Sequence, residues 1–389
     1  MAPTPAGSQS AKAVPGVVAE LADCLGGTVH LAYAQASGLD VVVAGFARYE
    51  AQTRARAIAR ATALDRLHRL PHHASSPKAP ASNRRGASRD GLPASDLRGA
   101  SRDGLPASDL RGALPASGLR GVSHDGSPTP DPRGRELRLS DFLSDPPEAV
   151  GLFVPGTGLV SGNRYQLPAE VVWLGERETQ VEAAMTGVVD LGIAEAIAEI
   201  IAHDVVARWW ARPSQQPLLR LSAQLDRLLP TGVMAAATGL GLRVSAFALA
   251  VPDLRIAMVT VGGEGATLGV AAGRTVRSAI GEAFLRAMAA KAQPWATLAL
   301  PEALRRFAVW HREGDYAAHL ERLGVDAEPW LIGEPGDLRP ASWPEIAARR
   351  FGHEPVAVES GGTGTIVKVV CPGAACYRAT SARLPCPVP

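Results

Sequence analysis

The stretch that decides the fold is Val189–Trp210, which reads VDLGIAEAIAEIIAHDVVARWW. Its apolar residues recur at spacings of three and four, as the buried face of an α-helix does: Leu191, Ala194, Ala198, Ile201 and Val205. Glu195, Glu199 and His203 follow one another at intervals of four, so they form one polar ridge along the helix. Two carboxylates and an imidazole in a row could bind Mg²⁺ through oxygen, or they could be an ordinary solvated face.

A second helix is predicted at Arg274–Lys291. Its inward residues have the same periodicity: Val276, Ile280, Ala283, Phe284, Ala287 and Met288. Glu282 and Arg286 lie four residues apart on this helix, so they form either a surface ion pair or part of a phosphate-binding site.

The other predicted elements mix helices and strands without a regular βαβ order, which favours the α+β fold class. The helices are Val17–Cys24, Ala51–Leu70, Pro217–Leu229, Leu300–Val309 and Tyr316–Leu323. The strands are Val29–Ala34, Val41–Phe46, Tyr165–Trp173, Arg243–Val251, Arg255–Val261 and Gly364–Val370.

A low-complexity insert interrupts the chain of 389 residues. The run GASRDGLPASDLR occurs at Gly86–Arg98 and again at Gly99–Arg111, and a shortened copy follows at Gly112–Arg120. Each unit has too few leucines to offset the entropy of ordering, so we predict a disordered insert, with an interaction tether as the alternative. The insert divides the chain into an N-terminal part, 1–74, the insert, 75–133, and a main part, 134–389.

Composition excludes some classes of function. The formal net charge of +2 argues against a nucleic acid or an anionic membrane as partner. Apolar runs are short and the N-terminus lacks an apolar signal core, which predicts a cytoplasmic protein. The four cysteines, Cys24, Cys371, Cys376 and Cys386, fit a reducing compartment, and a zinc site formed by the last three is an open alternative.

The sequence ends with Pro385, Cys386, Pro387, Val388 and Pro389. Prolines at alternate positions fix φ and favour a stiff, extended stem that ends in the α-carboxylate. Such a stem could place a permanent negative charge in a cleft, or it could be a frayed terminus.

Together these segments resemble the YcaO proteins, over a region that runs from about Leu152 to Pro389. The matching motifs are Leu167–Val171 (the family's xPAExV), Glu199–Trp210 (ExxERDAxxxWW), Gly281–Ala283 (an E-A pair) and the terminal prolines (PxPxP). The resemblance implies a YcaO-like fold of mixed sheets and helices around a nucleotide cleft.

The resemblance also implies an activity. YcaO cyclodehydratases use ATP and Mg²⁺ to convert Cys, Ser or Thr of a precursor peptide into thiazoline or oxazoline during maturation of ribosomal peptide natural products. It implies metal binding by Glu199 and Glu282, and the carboxylate of Pro389 as catalytic base. The implied nucleotide contacts are Glu195, Glu199, His203, Glu282 and Arg286. The implied partners are the precursor peptide, a separate leader-binding protein and a flavin dehydrogenase, and a homodimer is left open.

The chain departs from the family pattern within these motifs. Ala202 and His203 replace the second glutamate and the arginine of ExxER, and Arg286 stands at a glutamine-like position. The nearest carboxylate in the earlier helix is Asp65. Because Mg²⁺ sites depend on ligand charge and number, two hypotheses stay open: a divergent ATP-dependent enzyme, and a non-catalytic scaffold or partner subunit.

Overall fold

The structure is a computed structural model. It describes residues 17–36, 39–69, 134–143, 146, 151–172, 186–262, 266–293, 316–327, 341–360, 364–375 and 386. All of these belong to one unit of the chain, 1–77 together with 133–389. The helix predicted at Leu300–Val309 and the repeats of the insert lie outside the described residues.

The N-terminal part is an antiparallel sheet with a helix packed on it. Its strands are β1 (Ala19–Cys24), β2 (Val29–Ala36) and β3 (Leu39–Phe46), and α1 (Glu50–Arg69) lies across β2 and β3. The helix predicted at Val17–Cys24 is therefore wrong. Pairing with β2 along its whole length, from Ala19 opposite Ala34 onward, overrides the local helix propensity of this stretch.

The remaining elements follow in chain order. They are β4 (Arg135–Glu136), β5 (Phe153–Gly158), β6 (Arg164–Pro168), α2 (Ile193–Ala211), β7 (Leu218–Arg220), α3 (Leu225–Leu228), α4 (Val233–Gly239), β8 (Val244–Val251), β9 (Leu254–Val261), β10 (Thr267–Gly273), α5 (Val276–Ala292), α6 (Tyr316–Leu323), β11 (Gly324–Asp326), α7 (Trp343–Phe351), β12 (Val356–Ser360) and β13 (Thr365–Val370). One five-stranded sheet has the order β10-β9-β8-β7-β11, and the other has the order β13-β12-β5-β6-β4. The α+β class is confirmed.

One other predicted helix is wrong. Pro217–Leu229 begins as strand β7, which pairs with β8 through Leu219 opposite Ala248, and only its end forms the short helix α3. The segment is apolar enough for either structure, and the open edge of β8 decides in favour of the strand.

Helix α2 is the central helix of the described fold. Every residue from Ala196 to Ala207 is buried, and the helix contacts β9, β10, β13 and α7. Burial is therefore not limited to the single face that the spacing predicts. Leu191, which is predicted to lie on that face, precedes the helix and is exposed. A helix that is apolar on all sides except for a few polar residues is typical of a protein interior.

Helix α5 has the inward face that the periodicity predicts, and it packs on β9 and β10. The approach to β10 is so close that a Cβ at Gly269 would overlap main-chain atoms of Ala283 and Ala287. Both α2 and α5 contact β10, and α1 contacts β13, as α2 does. The three helices that carry the candidate site are thus held by the sheets.

Within the part of the chain that the structure describes, no helix combines the length and the apolar character that a membrane span requires.

Candidate functional site

Three helices bring charged side chains to one place. Each contributes two residues four apart, and residues at that spacing lie on the same face of a helix. The pairs are Arg56 and Arg60 on α1, Glu199 and His203 on α2, and Glu282 and Arg286 on α5. Asp190, which precedes α2, adds a third carboxylate. We call the set of ion pairs formed by the three arginines and the three carboxylates the arginine–carboxylate network: Arg56, Arg60, Arg286, Asp190, Glu199 and Glu282.

The arginines of α1 bind two of these carboxylates. Arg56 donates two hydrogen bonds to Glu282, from Nη2 to Oε1 at 2.7 Å and from Nη1 to Oε2 at 3.3 Å. Its Nε donates to Asp190 Oδ2 at 3.2 Å, and Arg60 Nη1 donates to the same oxygen at 3.1 Å. Arg60 Nη2 lies 4.0 Å from Glu199 Oε1. Helix α1 is thereby tied to α5 and to the segment that leads into α2.

Arg286 joins the other two helices. Its Nη1 lies 3.0 Å from Glu199 Oε1 on α2, and its Nε lies 3.1 Å from Glu282 Oε1, one turn back on α5. A single guanidinium therefore lies between carboxylates of two different helices, in the forked geometry that suits arginine better than lysine.

The backbone before α2 completes the site. Gly187 has a φ of +81°, and a Cβ there would overlap the main-chain oxygen of Val369. Only glycine adopts this conformation without strain, and it brings the Gly187 N–H to 3.1 Å from Glu199 Oε2. The same segment pairs with β13, since Val369 N–H donates to the Gly187 carbonyl.

The carboxylates of the network are ionised. Burial opposes the ionisation of Asp190, but Arg56, Arg60 and Arg286 outweigh it and hold its pKa at about 2. In the same way burial acts against Glu199 and Glu282, and neighbouring guanidinium groups nevertheless lower the pKa of both carboxyls. Three positive charges thus face three negative ones, and the network is neutral as a whole.

His203 is a neutral neighbour of this network. Burial lowers its pKa to about 4, and the positive charges of Arg286 and Arg60 act in the same direction against the attraction of Glu199. Its Nδ1 lies 3.4 Å from the hydroxyl of Thr186. Near neutral pH it therefore adds polarity but no charge.

The structure brings together four of the residues predicted for the nucleotide site: Glu199, His203, Glu282 and Arg286. Glu195 stands in the exposed first turn of α2, away from the ion pairs seen among the described residues. Pro389 lies outside the described residues. Asp65 does not join the network and pairs with Arg69 at 2.9 Å instead.

Sequence reasoning missed Arg56, Arg60 and Asp190. A signal for the arginines was present, since two basic residues four apart share a helix with the small buried residues Ala57 and Ala61. For Asp190 the sequence offers no comparable signal, because its partners come from another helix 134 and 130 residues away.

The aspartate of the ExxERD-like motif has a different role. Asp204 is fully buried and accepts hydrogen bonds from Arg208 Nε at 2.9 Å, Arg350 Nε at 2.7 Å and the Ala375 N–H at 2.7 Å. It therefore fastens α7 and the chain after β13 to the central helix.

The arrangement does not fit a magnesium-bound nucleotide as it stands. Mg²⁺ prefers oxygens from one or two carboxylates together with water and phosphate. Asp190 and Glu282, however, are each already bound by two arginines, and Glu199 is bound by Arg286, with Arg60 at 4.0 Å. No cluster of three or more His, Cys, Asp or Glu suited to a metal occurs among the described residues. Two cavities, of about 300 and 370 Å³, are lined by other residues.

Neither a protein-family model nor a curated protein matches the chain. Solved structures do. YcaO from Methanopyrus kandleri, bound with AMPPCP and Mg²⁺, superposes with a TM-score of 0.54 at 14% identity, covering 92% of this chain and 87% of that one. The E. coli microcin synthetase McbBCD complex with pro-MccB17 bound gives a TM-score of 0.41 at 11% identity, covering 60% and 68%. The chain thus has the YcaO fold.

Proposed function

We propose that this YcaO-fold chain acts in the modification of peptide backbone amides as a subunit that does not itself hydrolyse ATP. Its role would be to hold the precursor peptide, or a second, catalytic YcaO protein, in a modification complex. The arginine–carboxylate network supports this proposal, because the side chains expected to bind Mg²⁺ are neutralised by the protein's own arginines.

The energetic reason is the burial of the network. A metal ion that took Glu199 and Glu282 would have to displace Arg286, whose side chain is only 20% exposed. Breaking a buried ion pair on one side costs about 3–5 kcal/mol, which weakens binding by roughly 10²–10³-fold or more. The nucleotide would have to supply that free energy before any net affinity appeared.

Calorimetry on the purified full chain tests the proposal. Titration with Mg²⁺ and AMPPCP, the pair bound in the M. kandleri structure, is expected to give no binding heat up to millimolar ligand. Binding with a micromolar Kd that disappears in Glu199→Gln would overturn the proposal.

The second candidate function is the ATP-dependent cyclodehydratase itself. The observation in its favour is that Glu199 and Glu282, from separate helices, meet at one guanidinium in a YcaO fold. It would need ATP, Mg²⁺, a precursor peptide, a leader-binding protein and, for azoles, a flavin dehydrogenase. The assay is phosphate release together with the loss of one water per ring, and the activity should vanish in Glu199→Ala and in Glu282→Ala.

The C-terminal carboxylate belongs to this second candidate. If it serves as the base, one residue added after Pro389 should abolish ring formation while the free energy of unfolding stays the same. Unchanged ring formation would remove Pro389 from the mechanism.

A further inference from the structure

We infer that the main part of the chain, 134–389, carries a binding surface that holds the N-terminal part without a peptide link between the two. The partner that fits this surface is the sheet of β1, β2 and β3 together with α1, and it brings Arg56 and Arg60 to the arginine–carboxylate network. Residues 70–133 connect the two parts in the sequence. The inference concerns the assembly of the chain in the absence of nucleotide, so it and the proposed function can each fail alone.

The first support is a hydrophobic core that both parts share. The sheet of the N-terminal part has two apolar faces, and α1 covers one of them. The other face packs against α5 of the main part. Buried residues of this contact are Val29, Leu31, Val42 and Ala44 from the sheet and Ile280 and Phe284 from α5. The N-terminal part alone would expose this apolar face to water, which favours its binding to the main part.

The second support is a set of directional contacts between β3 and the end of α5. The side-chain oxygen of Gln293 accepts a hydrogen bond from the Val42 N–H at 3.2 Å, and its Nε2 donates one to the Asp40 carbonyl at 2.6 Å. The side-chain amide thus pairs with the edge of β3 as the main chain of a neighbouring strand would. The rings of Phe46 and Phe284 stack with 6.2 Å between their centroids and 4° between their planes. These contacts fix the orientation in which the two parts meet.

The third support is that the ion pairs of the α1 arginines cross from one part to the other. Arg56 donates three hydrogen bonds, two to Glu282 and one to Asp190, and its side chain is only 11% exposed. Arg60 donates to the same oxygen of Asp190. Without the N-terminal part, Asp190, which is 6% exposed, would lose both guanidinium groups that hydrogen-bond to it. Since a buried charge is costly without its partners, the network favours the joined state.

The test starts from the intact full chain. A recognition sequence for a site-specific protease replaces Gly99–Arg111, the second copy of the repeat, and the purified protein is cut after it has folded. At micromolar concentration we expect the two pieces to elute together in size-exclusion chromatography, in a ratio of one to one. A peptide link supplies an effective concentration of about millimolar at most, so retention at micromolar concentration shows binding by the surface itself. Release of the N-terminal piece without denaturant would overturn the inference.

A second step distinguishes binding from mere trapping of the cut piece. The cut protein is mixed with an isotope-labelled cut protein, unfolded in urea and refolded by dilution. We expect native mass spectrometry to find labelled N-terminal pieces on unlabelled main pieces, and the unfolding midpoint of the cut protein to fall on dilution while that of the uncut chain stays constant. Pieces that do not reassociate, under conditions in which the uncut chain refolds, would overturn the inference.

Variants of the cut protein show which contacts hold the two parts together. Arg56→Gln should raise the Kd between the pieces by roughly 30-fold or more, because it removes one partner of a buried charge pair. Gln293→Ala leaves the network intact and should also raise the Kd, through the loss of its two hydrogen bonds to β3. The matched control is Arg54→Gln, since Arg54 pairs within α1 with Glu50 at 3.7 Å and both are exposed. It should bind as the wild type does, and an unchanged Kd in both Arg56→Gln and Gln293→Ala would overturn the inference.

Discussion

Among single residues, His203 shows most clearly how burial sets the chemistry of this site. In the ExxER-like motif it stands where the resemblance places an arginine, and the structure holds it neutral, with a pKa lowered to about 4 by burial and by the guanidinium groups of Arg286 and Arg60, against the attraction of Glu199. A cation at this position would oppose the three arginines already present. Its neutrality is therefore consistent with the charge balance of the network.

The lowered pKa predicts a pH dependence of stability. An unfolded chain takes up a proton at this imidazole near its ordinary pKa of 6.5, whereas the folded chain does so only near 4. The contribution of His203 is thus fully present above pH 6.5 and is lost as the pH falls toward 4, by about 3 kcal/mol in total. We expect urea unfolding of His203→Asn to show a shallower loss of stability across this window than the wild type.

The matched control is His68→Asn, since His68 is exposed at the end of α1. It should follow the wild-type pH profile. Parallel profiles for the wild type and His203→Asn would mean that the imidazole is not held neutral in the folded chain.

Residues also show where sequence reasoning ends. Helical spacing and family resemblance are enough to select Glu199 with His203 and Glu282 with Arg286, because the two residues of each pair lie on the same helix. Arg56 has the same helical spacing with Arg60, but its pairing with Glu282, which lies 226 residues away in the sequence, could not be predicted. Tertiary packing decides which helices face one another, and the local residue pattern of a single sequence does not reveal that packing.

At the level of elements, the contact between β10 and α5 depends on one glycine. Gly269→Ala would place a methyl group against main-chain atoms of Ala283 and Ala287, which cannot rotate away as a side chain can. Overpacking of this kind costs about 1–3 kcal/mol, and we expect a loss at the upper end of that range in denaturant unfolding.

Gly239→Ala is the control for this substitution. Gly239 is the last residue of α4, and a Cβ there has open space around it. Alanine in a helix is favoured over glycine by about 0.5–1 kcal/mol, so this variant should be unchanged or slightly more stable. Equal losses in the two variants would refute the packing argument.

A second contact between elements is made by Asp204, which accepts hydrogen bonds from α7 and from the chain after β13. Asp204→Asn removes the charge that faces Arg350 and Arg208, whose side chains are 26% and 51% exposed and stay partly hydrated, so we expect a loss of about 1–3 kcal/mol. The same carboxylate accepts a hydrogen bond from the N–H of Ala375, and Cys386, later in the sequence, is also buried. We therefore expect a thiol reagent to modify Cys386 faster in the variant, as read by peptide mass spectrometry.

Arg349→Ala controls for a general loosening of α7, since the ion pair of Arg349 with Asp253 is exposed on both sides. It should label at the wild-type rate. Unaltered labelling of Cys386 in Asp204→Asn would show that the burial of Cys386 does not depend on Asp204.

Elements were predictable to the extent that their apolar pattern was regular. The periodicity placed α1, α2 and α5, and β2, β3, β8 and β9, within a few residues of their bounds. The local pattern predicts helices where strands β1 and β7 lie, and it fails there because a short stretch receives its conformation from the strand beside it. Strand β10 was missed since its glycines, needed for the approach of α5, resemble a loop.

For the whole molecule, the insert at 75–133 is predicted to be dispensable for folding. Helix α1 ends at Arg69 and the described chain resumes at Gly134. Replacement of the insert by a short Gly/Ser linker should leave the unfolding midpoint unchanged or slightly raised, because each halving of a loop saves only about 0.6 kcal/mol. An insoluble or unfolded product would show that the insert contributes to the fold.

The YcaO fold and the arginine–carboxylate network together define this protein: a fold that binds AMPPCP and Mg²⁺ in M. kandleri YcaO, with its own arginines bound to the carboxylates. The most direct measurement is a crystal structure of the chain grown with MgCl₂ and AMPPCP. We predict that Arg286 Nη1 remains on Glu199 Oε1 at the 3.0 Å separation found in this structure, with no metal between Glu199 and Glu282. A metal ion bridging those two carboxylates, with Arg286 displaced, would contradict this account.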